Sequence, residues 1–320
     1  MSGNGWLRRA AGWLGIGAAV GMLVVLVMGA TVTTTGSAQG CGRDWPLCNG
    51  RVVPEFALAA AIEFSHRAVT GVEGVLIVAF TVAVLVLFRR HRPALVLAPL
   101  MLGSLLLQAG MGAWAVKYPQ QPVVLALHFG ISLIALASVT LTAVYVRRAD
   151  EIRASPPVWP GLRLATWGIT AYLYLLVYSG AYIRHAGAAG GCTSWPVCGS
   201  GSGEATGVAV NLAHRGVALT ALLLAVALLL AYRWLEPGRR DLLVGGGILI
   251  GTLLAQGAAG AFLVFSHYGL SAELLHAGLT GIVFTAAAYL CLRVTVAAHD
   301  EEAAPTGERR RSRLRPEGVR

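Results

Sequence analysis

The sequence predicts an all-α integral membrane protein whose eight transmembrane helices form two parallel four-helix repeats. Three observations lead there. Of 320 residues, 56% are hydrophobic and 12% charged, about half the charged fraction of an ordinary globular chain. Apolar stretches of about twenty residues, the length a helix needs to cross the hydrocarbon core, recur along the chain. Residues of the first half also return at one fixed offset in the second. No segment alternates apolar and polar residues as membrane-barrel strands do, so the spans are helical.

The predicted spans are residues 12–33, 56–88, 94–115, 122–146, 162–183, 208–232, 241–264 and 270–297. The first has a longer apolar core than a cleaved signal and reads as a retained helix. The second is long enough to project from the bilayer, with Glu55 to Ala61 as a helical stub outside it. Between the spans lie clusters of Pro, Gly, Arg and Asp, which stop helices and favour water. Residues 300–320, charged and without apolar periodicity, read as a disordered tail.

The formal charge of +10 bears on topology rather than on nucleic acid, because of where the cations fall. With the N-terminus in the cytoplasm, one side receives 19 arginines and the other only Arg43, Arg51, Lys117 and Arg184. The positive-inside rule then puts both termini in the cytoplasm. Arg67 and Arg215 belong to neither count, since they lie inside apolar stretches.

Gln108, Gly112 and His128 recur as Gln256, Gly260 and His276, and His66-Arg67 recurs as His214-Arg215, each 148 residues later. Such matches at one offset indicate internal duplication. Because each repeat holds four helices, both begin on the same side of the membrane and are parallel. The organisation is therefore residues 1–155 as the N-terminal half, 156–299 as the C-terminal half and 300–320 as the tail, with Pro156-Pro157-Val158-Trp159-Pro160 as linker.

Each half has a long outer loop containing Trp-Pro-x-Cys. Cys41-Gly-Arg-Asp-Trp-Pro-Leu-Cys48 and Cys192-Thr-Ser-Trp-Pro-Val-Cys198 hold four of the five cysteines. On an external face they favour one short disulfide per loop, serving either as a staple or as a redox relay. A zinc site would want tighter spacing with His partners, and a covalent haem would want Cys-x-x-Cys-His. Neither pattern occurs in these loops. Cys291 reads as apolar filler in the last helix.

Ionisable groups inside a bilayer are costly enough to be functional candidates. These are Glu63, His66 and Arg67 on the second span, His128 on the fourth, His214 and Arg215 on the sixth, and Glu273 and His276 on the eighth. All four spans enter from the outer side, and each His lies within about three turns of its start. Two His on two helices of a four-helix unit can hold a flat metallo-macrocycle between them; a lone membrane His more simply bonds a neighbouring helix or water. Gly71, Gly110, Gly112 and Gly130, and in the other half Gly216, Gly257, Gly260 and Gly278, would give such a ring its close backbone approach. Arg67 and Arg215 have two readings: contacts to haem propionates, or snorkelling anchors, with Arg67 also placed to pair with Glu63 one turn earlier. His91, His185, His267 and His299 lack repeat partners and are expected in solvent.

Glu63-Phe-Ser-His66-Arg67, Asn211-Leu-Ala-His214-Arg215, the later His128 and His276, the eight spans and the paired-cysteine loops together resemble the haem A synthase family over nearly the whole chain apart from the tail. The resemblance implies oxidation of a ring methyl of haem O to a formyl group, giving haem A for terminal oxidases. It implies a haem b cofactor on His214 and His276, the substrate haem on His66 and His128, a role in activity for Glu63, and importance for Cys41 and Cys48. No Arg- and Ser-rich amphipathic leader like that of mitochondrial members is evident, which points to a bacterial plasma membrane. The implied partners are haem O, an electron donor, the lipid bilayer and, as supplier, the haem O synthase.

The repeat offset sets Asn211 opposite Glu63, so one half has a titratable carboxylate beside its histidine and the other a neutral amide. Oxidising a methyl group requires protons to leave with the electrons, and a carboxylate can accept them where an amide cannot. This assigns the reacting haem to the N-terminal half, against the alternative that Glu63 simply neutralises Arg67. Two rival functions remain at this stage: a di-haem cytochrome b moving electrons from quinol without altering haem, and a parallel-repeat transporter, which would be expected to carry broken helices near the midplane.

Overall fold

A computed structural model describes residues 4–118, 121–200 and 202–302. Among them are eight α-helices: α1 (Asn4–Thr34), α2 (Leu58–Leu87), α3 (Arg92–Lys117), α4 (Pro122–Arg153), α5 (Pro160–His185), α6 (Ala205–Leu235), α7 (Arg240–Phe265) and α8 (Leu270–Glu302). A single 3-10 turn, Ala189–Gly191, precedes α6. Seven of the helices are long and apolar enough to cross a membrane. The exception is α5, whose Thr166, Trp167, Thr170, Tyr172, Tyr174, Tyr178 and Ser179 replace aliphatic side chains. Large apolar side chains such as Val75, Leu106, Leu164 and Trp234 lie on the outer surface, as lipid-facing residues do and the core of a soluble protein does not. The protein is a multi-pass helical membrane protein.

The helices outrun the predicted spans because a helix continues after its apolar stretch leaves the hydrocarbon core. α1 begins at Asn4 and takes in Arg8 and Arg9, and α8 runs to Glu302, beyond the predicted start of the tail. Residues 303–320 lie outside the described residues. The stub predicted from Glu55 is shorter: Ala57, extended at φ −138° and ψ 140°, precedes the first helical residue, Leu58. Proline opens three helices at positions whose N–H groups need no intrahelical acceptor: Pro93 in α3, Pro122 in α4 and Pro160 in α5. Near its end α4 departs from helical dihedrals at Arg148 (φ −128°, ψ 23°).

The helices pack as sequential pairs around a centre formed by α4 and α8. α1 packs on α2, α3 on α4, α5 on α6 and α7 on α8, while α4 and α8 also contact each other, α1 and α5. One core gathers residues such as Met22, Phe80, Met101 and Leu133 from α1 to α4; a second gathers Leu173, Ala225 and Leu249 from α5 to α7. α8 enters both, with Phe284 in the first and Leu290 in the second.

Polar ties join the two sets of helices at both ends of the bundle. At the end carrying the cysteine loops, Arg184 of α5 meets Glu273 of α8 at 2.6 Å and also bonds Thr34 of α1. At the opposite end Arg239 and Arg293, 3% and 2% exposed, converge on Asp241: Arg239 through two bonds of 2.9 and 2.8 Å, and Arg293 through one of 2.8 Å. Arg293 also donates to Glu151 of α4 and Ser155, and Arg239 to the Pro156 carbonyl. The network fastens the linker to α4, α7 and α8.

Candidate functional site: two histidine stations

Each of the four repeated histidines stands against a glycine of a neighbouring helix. A Cβ added at Gly29 of α1 would come within 3.3 Å of the His66 ring, and one at Gly180 of α5 within 2.8 Å of His214. Gly112 and Gly260 stand at 3.5 and 3.6 Å from His128 and His276. His66 and His128 belong to α2 and α4, and His214 and His276 to α6 and α8, so each half contributes one pair.

Polar neighbours hold these rings on the two sides in parallel fashion. The Gln108 amide nitrogen donates to Nε2 of His128 (3.2 Å) and to Ser132 (2.5 Å). Gln256 does the same toward Nε2 of His276 (3.1 Å) and Thr280 (2.7 Å). Ser179 lies 2.9 Å from Nδ1 of His214. Nδ1 of His66, His128 and His276 is buried without a hydrogen-bond partner among the described residues, which is costly unless the ring has another use. Gly71, Gly110, Gly216 and Gly257 open onto free space. Paired imidazoles with open glycine surfaces fit a haem held between helices, and among the described residues no cluster of three or more His, Cys, Asp or Glu offers a bare metal site. Two of the predicted glycines serve elsewhere: Gly130 packs on Tyr174 and Tyr178, and Gly278 on Val27.

Glu63 is 3% exposed and both its oxygens are engaged. Oε1 pairs with Arg67 at 2.5 Å, and Oε2 accepts the Cys41 N–H at 2.9 Å. Asn211 at the matching position donates instead, to the Ala188 and Gly207 carbonyls at 2.8 Å. Arg67 and Arg215 also clasp the cysteine loops, Arg67 through the Asp44 and Leu47 carbonyls and Arg215 through those of Ser194 and Pro196. The clasp was not evident from the sequence, where the loop carbonyls carry no signal. Cys41 is bonded to Cys48 and Cys192 to Cys198, with Cα separations of 4.3 and 4.8 Å. Trp45-Pro46 and Trp195-Pro196 are both cis.

Two expectations need correction, and one buried carboxylate is added. His91 is not free in solvent: its Nδ1 lies 3.0 Å from the Tyr145 hydroxyl and its ring meets Phe88 edge-on. His185 is half-buried rather than exposed, because α5 carries it to the helix end packed near α8. Glu73, which is not among the sequence candidates, is 3% exposed in the middle of α2, and its Oε1 has no hydrogen-bond partner among the described residues. His267 is exposed as expected. Cys291 is buried as expected and meets the Thr170 hydroxyl at 3.1 Å. The His299 side chain is outside the described residues.

The fold and the site define a class: multi-pass helical membrane proteins with two matched histidine stations, each set between neighbouring helices. The chain belongs to the COX15-CtaA family, cytochrome oxidase assembly proteins, whose family model matches residues 54–288. It is similar to the heme A synthase of Symbiobacterium thermophilum, 39% identical over 285 residues, covering 84% of this chain and 90% of the relative. It is also 37% identical to that of Bacillus licheniformis over 295 residues, covering 90% and 97%. Identity to that of Exiguobacterium sibiricum is 38% over 272 residues, covering 84% and 90%.

Proposed function

We propose that this protein is a haem A synthase, a membrane oxidoreductase converting a ring methyl of haem O to the formyl group of haem A. The observation that carries this reading is the matched setting of His66, His128, His214 and His276, each ring against a glycine of a neighbouring helix, in a chain whose relatives bear that name. His214 and His276 hold a resident haem b, and His66 and His128 hold the substrate haem. Bound there, the haem iron supplies the electron-transfer chemistry of the reaction.

The protein's own residues position these groups and manage protons. Glu63, beside His66 and replaced by Asn211 in the other half, would act as a proton acceptor for the reacting haem; taking a proton would cancel the charge that pairs with Arg67. Arg67 and Arg215, at the ends nearest the cysteine loops, supply guanidinium groups to the haem propionates. The Cys41–Cys48 and Cys192–Cys198 bridges hold those loops over the stations. Residues 1–155 and 156–299 are two parallel four-helix repeats, α5 included as a span. Both termini face the cytoplasm of a bacterial plasma membrane, and the cysteine loops face outward. An electron donor and the haem O synthase are the partners this chemistry requires.

Pigment extraction tests the reading. A cell making haem O and this protein should contain haem A or its hydroxylated precursor. Stable haem O beside a normal two-haem spectrum would point instead to a di-haem electron-transfer cytochrome. Replacing His214 or His276 with Ala should remove the low-spin six-coordinate spectrum expected of a bis-imidazole haem b.

A further inference from the structure

Glu73 follows His66 by seven residues, so it lies on the same face of α2 about 10 Å further along the helix, away from the cysteine loops. Its surroundings are apolar. The helices packed on α2 are α1 and α3, and neither residues 10–34 of α1 nor 93–116 of α3 include an ionisable side chain. On α2 the nearest ionisable groups are His66 and Arg67 on one side, with Arg89 beyond its far end. α1 makes room for the carboxyl: a Cβ on Gly21 would fall 2.0 Å from Oε2 of Glu73. A carboxyl buried without a cation is carried as the neutral acid, an arrangement costly enough that membrane helices keep it chiefly for proton traffic.

The other half is built differently at this depth. The 148-residue offset puts Ala221 opposite Glu73, and Ala221 is fully buried. Aligning Gly29 with Gly180, the glycines that face His66 and His214, puts Tyr172 opposite Gly21. The Tyr172 hydroxyl donates to the Val217 carbonyl one turn before Ala221. A glycine and a carboxylate in one half thus exchange places with a tyrosine and an alanine in the other, where the volume is filled by a ring that needs no ionisable partner. Glu63 is held by Arg67 and Cys41, whereas Glu73 retains an unengaged oxygen in the half assigned to the reacting haem.

We propose that Glu73 is a proton-transfer residue serving the His66–His128 station, an inference that rests on the haem A synthase reading. The step is acid–base exchange alone. The Glu73 acid gives its proton to a water molecule reaching it from the side away from the cysteine loops, forming hydronium as the Glu73 O–H bond breaks. The carboxylate then takes a proton released at the station, forming a new O–H bond as the donor's bond to that proton breaks. No electron is gained or lost at Glu73.

Infrared spectroscopy of the purified full-length protein in H2O and D2O tests the proton directly. Wild type should show a protonated-carboxyl carbonyl band that shifts on deuteration; Glu73→Gln should lose it and Glu63→Gln keep it. A wild type without the band, a band that does not exchange, or one that persists in Glu73→Gln overturns the proposal. In cells supplying haem O, Glu73→Gln should lower haem A formation about a hundredfold or more, the scale of a lost proton-transfer group, while the haem of His214 and His276 keeps its spectrum. Glu73→Asp should recover part of the rate with a displaced pH profile. Equal loss in both variants with an unchanged pH profile marks a structural role and overturns the proposal, as does full activity of Glu73→Gln. If wild type makes no haem A, the haem A synthase reading fails, and the exchanging band alone decides whether Glu73 carries a mobile proton.

Discussion

The spacing between an imidazole and a missing Cβ sets how tightly each histidine is placed. Gly180 leaves His214 less room than Gly29 leaves His66, so Gly180→Ala should displace its ring more. We expect Gly180→Ala to lose most of the bis-imidazole absorbance and Gly29→Ala to keep more of its own, read from spectra of the purified variants. At Glu63, substitution by Gln keeps an acceptor for the Cys41 N–H but removes the charge facing Arg67. The variant should fold, keep the haem of His214 and His276, and accumulate haem O or a hydroxylated intermediate; normal haem A output would remove Glu63 from the chemistry. Glu63→Leu should be harsher, about 3–5 kcal/mol, because it leaves the Arg67 charge uncompensated in a buried setting. The histidines were legible in the sequence because ionisable residues stand out in apolar spans and these repeat at one offset; Glu63 was legible because it stands one turn before His66, where the other half has Asn211. Gly29 and Gly180 were not, because the glycines of α1 and α5 align at 151 residues rather than 148. Glu73 was not, since its counterpart is an alanine and returns no repeat signal.

Among the elements, the cysteine loops were the most legible and α5 the least. A disulfide closing so short a loop contributes about 2–3 kcal/mol by chain entropy, and the arginine clasps add side-chain to carbonyl bonds to the same loops. Replacing Cys41 and Cys48 by Ser should therefore loosen the first loop without freeing it, and adding Arg67→Ala should free it. Limited proteolysis between residues 41 and 51 is the measurement: little cleavage in wild type, more in the double Ser variant, most in the triple variant. Orientation belongs to the same element. After reduction, impermeant thiol reagents should label these cysteines from outside the cell, and labelling from the cytoplasmic side only would reverse the topology. α5 departs from the aliphatic pattern because its inner face makes hydrogen bonds: Thr166 with Tyr232 at 2.5 Å, Thr170 with Cys291 and Ser179 with His214. Hydropathy counts those polar atoms as exposed to lipid, whereas in the bundle their partners lie on α6 and α8.

Across the whole molecule, the eight-helix organisation could be read from composition and spacing, but not the way the halves are fastened. Asp241 receives Arg239 and Arg293 together, and the two arginines reach the linker and α4. Such a network is invisible in sequence because its members are 142 residues apart at the widest, Glu151 to Arg293, and show no periodicity. Asp241→Asn should leave two buried guanidinium groups without their shared counter-charge. A loss of about 3–5 kcal/mol is expected, seen as a lower Tm in detergent with the haem spectrum unchanged below the transition. Glu273→Gln, at a pair with Arg184 whose side chains are 27% and 17% exposed, should cost less, because the Arg184 left unpaired keeps more access to water than Arg239 and Arg293.

α8 leaves the ribosome after α1 to α7, yet it lines both cores and fits against the first half through Gly281, where an added Cβ would meet Leu136 at 2.8 Å. The first four helices consequently wait in the membrane with an open flank until α8 is made. During that interval the nascent chain is exposed to membrane proteases, and on the haem reading the first half, whose His66 and His128 are already made, still waits for α8 to close its flank. Pulse-labelled chains stalled ahead of Leu270 should turn over faster than full-length protein even though three of the four histidines are already in place.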